Sequence, residues 1–147
     1  MALLGLSVAK TAGQEYASDP LYKSLEGAPG VTIVSVSEDI VRAIDLVMDD
    51  EEDQLIDKID RFRLVSCRKE KGAKAAERVH ETFSQKPFEP ASYNQNDGRV
   101  FVVRTGRTIH EFHVLRSGSQ ELILLSFYGE FREADIKKLI KDVDDVR

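Results

Sequence analysis

The densest set of groups able to do chemistry is His110-Glu111-Phe112-His113. Two imidazoles and a carboxylate this close could ligate zinc or share acid–base work. The surrounding residues alternate as a β-strand, however, and residues three apart on a strand point to opposite faces. His110 and His113 are therefore not expected to converge on one ion. The spacing also differs from His-Glu-x-x-His, in which residues four apart share a helix face. His80 stands beside the apolar stripe of a helical stretch and reads as a surface histidine. Cys67 is the one cysteine. No pattern marks it as a nucleophile, and it reads as a small packed residue. Asp49-Asp50-Glu51-Glu52-Asp53 lacks the spaced ligands and turn glycine of a calcium loop and reads as a solvated charge run. The chain has no Gly-rich phosphate loop, no Gly-x-Ser-x-Gly elbow and no Cys-x-x-Cys pair. No catalytic, cofactor-binding or metal residue is assigned, and no cofactor is expected.

The elements that must position these groups follow from periodicity. Leu21, Tyr22 and Leu25 mark a short helix after Asp19-Pro20, and Val31–Val36 is a β-branched strand. Ser37 is a natural N-cap for a helix burying Ile40, Val41, Ile44, Val47 and Met48. Residues 58–67 form a strand with Phe62 and Leu64 on one side and Ile59, Arg61, Arg63, Val65 and Cys67 on the other. Residues 73–85 form a helix with a stripe of Ala76, Val79 and Phe83. Turn signals at Asn96-Asp97-Gly98, Thr105-Gly106-Arg107 and Ser117-Gly118-Ser119 then divide a four-stranded antiparallel meander. Pro90 places its first strand at an edge. A last helix from Glu133 buries Ile136, Leu139, Ile140 and Val143. The order β-α-β-α-β-β-β-β-α predicts an α/β (α+β) two-layer sandwich: a mixed sheet with about three helices on one face.

Alternation sorts the meander into two faces. Phe101, Val103, Phe112, Val114, Ile123, Leu125 and Phe127 are expected beneath the helices. The opposite face would carry Arg61, Arg63, Val102, Arg104, Ile109, Glu111, His113, Leu122, Leu124 and Tyr128. A face this apolar, rimmed by polar groups and left open, marks a contact surface. It is the candidate interaction face for a protein partner or a second copy, in a non-enzymatic domain. The alternative is a small-ligand-binding or hydrolytic protein that uses Glu111, His113 and Arg104 on the same face.

Bulk properties narrow the classes further. The 147 residues fit one domain, read as a tail over 1–18 and a globular unit over 19–147. With 41% hydrophobic and 32% charged residues, the chain lies outside the disordered regime. Its net charge of −5 argues against nucleic acid and anionic lipid as partners. No run reaches the roughly 20 apolar residues of a membrane span. Residues 2–9 are apolar and are followed by small residues, as in the remnant of an export signal, but the basic opening is missing. A periplasmic or envelope location is expected, or a cytoplasmic one if this stretch is not a signal remnant.

One resemblance rests on particular residues: Asp57-Lys58-Ile59-Asp60-Arg61, Phe88-Glu89, Ile109-His110-Glu111-Phe112, Gly129 and Asp135-Ile136-Lys137-Lys138-Leu139. Over Pro20 to Val143 the chain resembles the family called domain of unknown function 4252, exported proteins mostly of Bacteroidetes. The resemblance implies an envelope location. It brings no activity, cofactor or catalytic residue. This chain lacks the lipid-attachment cysteine that some exported relatives would carry.

Overall fold

The structure is a computed structural model. It describes residues 16–48, 57–91 and 98–138, without the side chains of 44–48. The expected tail over 1–15, the acidic run 49–53, the turn at Asn96-Asp97, the stripe residues Ile44, Val47 and Met48, and Leu139, Ile140 and Val143 lie outside that description.

The chain runs α1 (Asp19–Leu25), β1 (Val31–Val36), α2 (Glu38–Met48), β2 (Ile59–Arg68), α3 (Ala73–Phe83), β3 (Glu89–Pro90), β4 (Gly98–Thr105), β5 (Thr108–Ser117) and β6 (Glu121–Phe131). A final helix, α4, is described over residues 133–138. The six strands form one open sheet in the order β1-β2-β6-β5-β4-β3. Pro90 does sit on an edge strand, and the meander and the α+β sandwich are found. Among the described residues no helix is long and apolar enough to cross a membrane.

Two expectations about the sheet are corrected. Every strand pair is antiparallel, so the sheet is not mixed. Val36 at the end of β1 pairs with Phe62 near the start of β2. The chain therefore re-enters the sheet at the end by which it left, and β2 runs back beside β1. The helices also do not share one face. Leu21, Tyr22 and Leu25 of α1 and Ala75, Val79 and Phe83 of α3 pack on one side, against Val65, Cys67, Leu115, Leu122 and Leu124. On the other side Val41 of α2 and Ile136 of α4 pack with Val100, Val102, Phe112 and Val114.

The face assignment slips by one residue along part of the meander. Register pairs Phe101 with His113 and Val102 with Phe112, so Phe101 belongs to the α1/α3 side and Val102 to the α2/α4 side. A bulge between Ile109 and Glu111 also moves Ile109 to the α2/α4 side. Period-two counting carries no information about an inserted residue, so the sequence pattern could not show this shift. On that side Phe112 stacks on Phe127 at 4.5 Å and meets Phe131 edge-on at 4.9 Å. Burying a side chain such as Phe112 is worth roughly 1.5–3 kcal/mol. Ile40, expected inside the α2 stripe, is instead 52% exposed. It stands in the first turn, where Val41 has taken the inward position.

Local chemistry sets the helix ends. Pro20 lies in the first turn of α1, where its missing N–H is no loss. Asp135 accepts from the Arg132 N–H at 2.8 Å and from Lys58 Nζ at 2.7 Å, which caps α4 and ties it to the start of β2. Gly129 is required by close approach: a Cβ there would collide with the Lys58 carbonyl oxygen.

Candidate functional site: a sealed polar network beneath the first helix

The wall expected to be open is covered. His113 and Tyr128 are 0% exposed, Leu124 1%, and Arg63 8%. Helices α1 and α3 and residues 16–18 lie over it. Tyr16–Ser18, read from sequence as the end of a tail, are packed, and Ser18 is fully buried. The premise of an exposed interaction face over β2, β5 and β6 is therefore corrected: alternation finds an apolar face but cannot show which helix covers it.

Of the ten residues singled out, seven share this face: Arg61, Arg63, Glu111, His113, Leu122, Leu124 and Tyr128. Val102 and Ile109 lie in the opposite core. Arg104 also points away, toward Glu133 at 3.3 Å and Glu89 at 3.7 Å.

Within the covered face the polar groups form two connected lines. The Tyr22 and Ser126 hydroxyls are 2.6 Å apart, and the Ser126 hydroxyl is 2.7 Å from His113 Nδ1. His113 Nε2 is 3.0 Å from Glu111 Oε1, while the Ala17 N–H donates to the other Glu111 oxygen. One assignment satisfies every group. Tyr22 donates to Ser126, Ser126 to Nδ1, and the Nε2–H to Glu111. Burial lowers the His113 pKa below its ordinary 6.5, against the raising effect of Glu111, and so favours the neutral ring this assignment uses.

The second line centres on Arg63. Its Nη2 donates to Tyr128 Oη at 2.6 Å and to Asp19 Oδ1 at 2.6 Å, and its Nε donates to Tyr128 at 3.0 Å. Tyr128 in turn lies 2.6 Å from the Ser18 hydroxyl. The guanidinium carbon sits 3.9 Å from the centre of the Tyr22 ring and 4.7 Å from that of Tyr128. A cation held between two aromatic faces is stabilised by about 1–2 kcal/mol. Burial disfavours the Arg63 charge, but Tyr128 and Asp19 outweigh it and hold the pKa above its ordinary value. Burial likewise drives Tyr22 well up, and Tyr128 up to about 12, so both phenols stay protonated donors.

The order Ser126–His113–Glu111 is that of a hydroxyl, a base and an orienting acid. The line is buried within the described residues. Ser126 is 0% exposed and Glu111 2%. Cavities of about 490 Å³ beside Arg68, Lys69 and Lys71, 300 Å³ beside Cys67 and His80, and 280 Å³ beside Arg104 and Arg132 do not include the Ser126 line. At Cys67, burial raises the thiol pKa, which works against a thiolate nucleophile. Both His113 ring nitrogens are engaged, and among the described residues no group of three His, Cys, Asp or Glu is arranged to hold a metal.

Sequence reasoning places Ser126 on this face without giving it a role, and misses Tyr22, Ser18 and Asp19 as members of the network. A usable signal exists for two of the four. Ser126 interrupts the run Leu122-Leu124-Ser126-Tyr128, and Tyr22 falls on the apolar stripe of α1 between Leu21 and Leu25. Hydroxyls at core positions need partners, and each supplies the other's.

No curated protein and no solved structure matches the chain. A family model does match, the domain of unknown function DUF4252, over residues 22–139. That span contains β1–β6, α2, α3 and most of the network, and the chain belongs to the DUF4252 family.

Proposed function

We propose that the chain is a non-enzymatic interaction domain of the cell envelope, which meets a protein partner along the β1 edge, unpaired among the described residues. One observation carries the reading: the two margins of the sheet are unequal. Among the described residues the β3 margin is two residues long, contains Pro90 and begins with Glu89, and the part of β4 beyond its cover includes Arg104. Short length, proline and charge are the devices that blunt an edge. The β1 margin, Val31-Thr32-Ile33-Val34-Ser35-Val36, is longer and carries no charge and no proline. Within it Val34 is 46% exposed. Val36 packs with the α2/α4 core, so Val34 two residues earlier faces the same side. An unpaired strand carrying an exposed apolar group is the substrate of β-strand addition. The envelope location is supported by the resemblance to exported relatives and by the apolar stretch over residues 2–9.

A photo-crosslinking residue placed at exposed Thr32, with Glu89 as the control, tests the reading in intact cells making the full chain. Protein adducts are expected from position 32 and not from 89. No adduct at 32, or equal adducts at both positions, overturns it.

The Ser126–His113–Glu111 order favours a second reading, a hydrolase opened by displacement of α1. A fluorophosphonate probe separates the two. No labelling is expected, and labelling of Ser126 would support the hydrolase.

A further inference from the structure

We infer that the partner on the β1 edge is a second copy of this chain, joined about a two-fold axis at Ile33 into one continuous sheet. The inference rests on reading β1 as the contact strand and adds the identity of the partner and the register.

Backbone direction sets the register. The Arg68 N–H donates to the Gly30 carbonyl at 2.9 Å, and β1 and β2 pair in the same frame from Val31–Cys67 to Val36–Phe62. Even-numbered residues of β1 therefore direct their backbone groups at β2. Val31, Ile33 and Ser35 direct theirs outward. Directly opposed residues of an antiparallel pair share a face, so two identical strands related by a two-fold axis must oppose some residue to itself. Ile33 is the midpoint of the outward set. With the axis there, Ile33 exchanges both backbone bonds with Ile33 of the second copy. The Ser35 N–H of each copy meets the Val31 carbonyl of the other. Val34 falls opposite Thr32 of the second copy, which covers part of its exposed surface.

Charge supports the same arrangement. An antiparallel pair sets the Val31 end of one copy beside the Val36 end of the other. At the Val31 end, Lys71 lies against Gly30, and Arg68, Lys69 and Glu70 are adjacent, a net positive group. At the Val36 end stand Glu38, Asp39 and Asp60, with Arg61 beside them and Arg42 3.7 Å from Asp60, which leaves this end net negative. The basic end of each copy thus meets the acidic end of the other, and no like charges oppose within the strands themselves. One strand pair falls in the small-interface class below about 1,200 Å², so the dimer is expected to be weak and salt-sensitive.

Sedimentation of the full chain at about 1 and 200 µM brackets that class of interface. A dimer is expected at the higher concentration, dissociating with added salt. Ser35 is exposed and its N–H points outward, so Ser35→Pro keeps the monomer fold, checked by its melting curve, and weakens association at least about 10-fold. Oxidised Ile33→Cys should crosslink, because opposed Cα atoms of a bonded pair lie about 5.5 Å apart. Val34→Cys should not crosslink. A dimer indifferent to Ser35→Pro, or one crosslinked through position 34, overturns this interface. Hydrogen exchange sorts a monomeric result. Fast-exchanging outward amides on β1 overturn self-pairing and leave the edge free for another protein. Slow exchange that does not depend on concentration means the chain covers its own edge, which overturns both this inference and the reading beneath it.

Discussion

The hydroxyl of Tyr22 on α1 lies 2.6 Å from that of Ser126 on β6, so the first helix is bonded to a central strand of the sheet. Tyr22→Phe keeps the ring over Arg63 and removes only this bond. It should lower stability by about 1 kcal/mol. Tyr22→Ala also removes the ring and should lower it by about 3–5 kcal/mol. Urea unfolding of the two variants checks the separation. Equal losses would show that the hydroxyl, not the packing, dominates.

Arg63 should be the least replaceable charge. Arg63→Met removes the cation between two tyrosine rings and leaves Asp19 and Tyr128 without their donor, for a loss of about 3 kcal/mol. Arg63→Lys keeps the charge but cannot reach both partners with a planar fork, and should lose more than half as much. Thermal melts of the three proteins decide the order.

His113 makes stability depend on pH in a defined direction. Its folded pKa lies below the ordinary 6.5, chiefly through burial. Below 6.5 the unfolded chain takes up a proton that the folded chain resists. The contribution is therefore complete above that value and is lost as pH falls through the folded pKa. Unfolding free energy should drop as pH falls below about 6.5, and His113→Gln should flatten the drop. Asp135 is held below its ordinary 3.8. Burial acts to raise its pKa, but the Lys58 bond and the Arg132 N–H outweigh it. Its contribution is lost only as pH falls below 3.8, so Asp135→Asn should leave the higher window untouched.

Gly129→Ala should be among the most damaging single-atom additions. The added carbon would collide with the Lys58 carbonyl oxygen, a backbone atom that cannot swing away. Separating β2 from β6 there should cost about 3 kcal/mol or prevent folding. Gly27→Ala, with open space around the site but a φ of +74°, should cost only about 1 kcal/mol. Soluble yield and melting temperature of the pair provide the check.

Much of the fold was legible because its rules are local. The stripe Val79–Phe83, the turn at Gly106 and the edge position of Pro90 follow from periodicity and backbone chemistry. What was not legible is set by three-dimensional choices. The bulge beside His110 re-aims Ile109 without altering the alternation of types. The position of α1 over Tyr128 depends on a bond between Ser18 and a residue 110 positions later. The acid, base and hydroxyl of the network were visible singly, as Glu111, His113 and Ser126. Their closure became visible only when Tyr22 and Ala17 proved to occupy the remaining sites.

The abrupt β3 margin also limits how such sheets could grow. Linear polymers need two extendable ends on every unit, and here the described β3 margin is short and carries Pro90. On the proposed β1 pairing, each copy would turn its proline-bearing β3 margin outward, which favours closure at two chains over extension into a fibre.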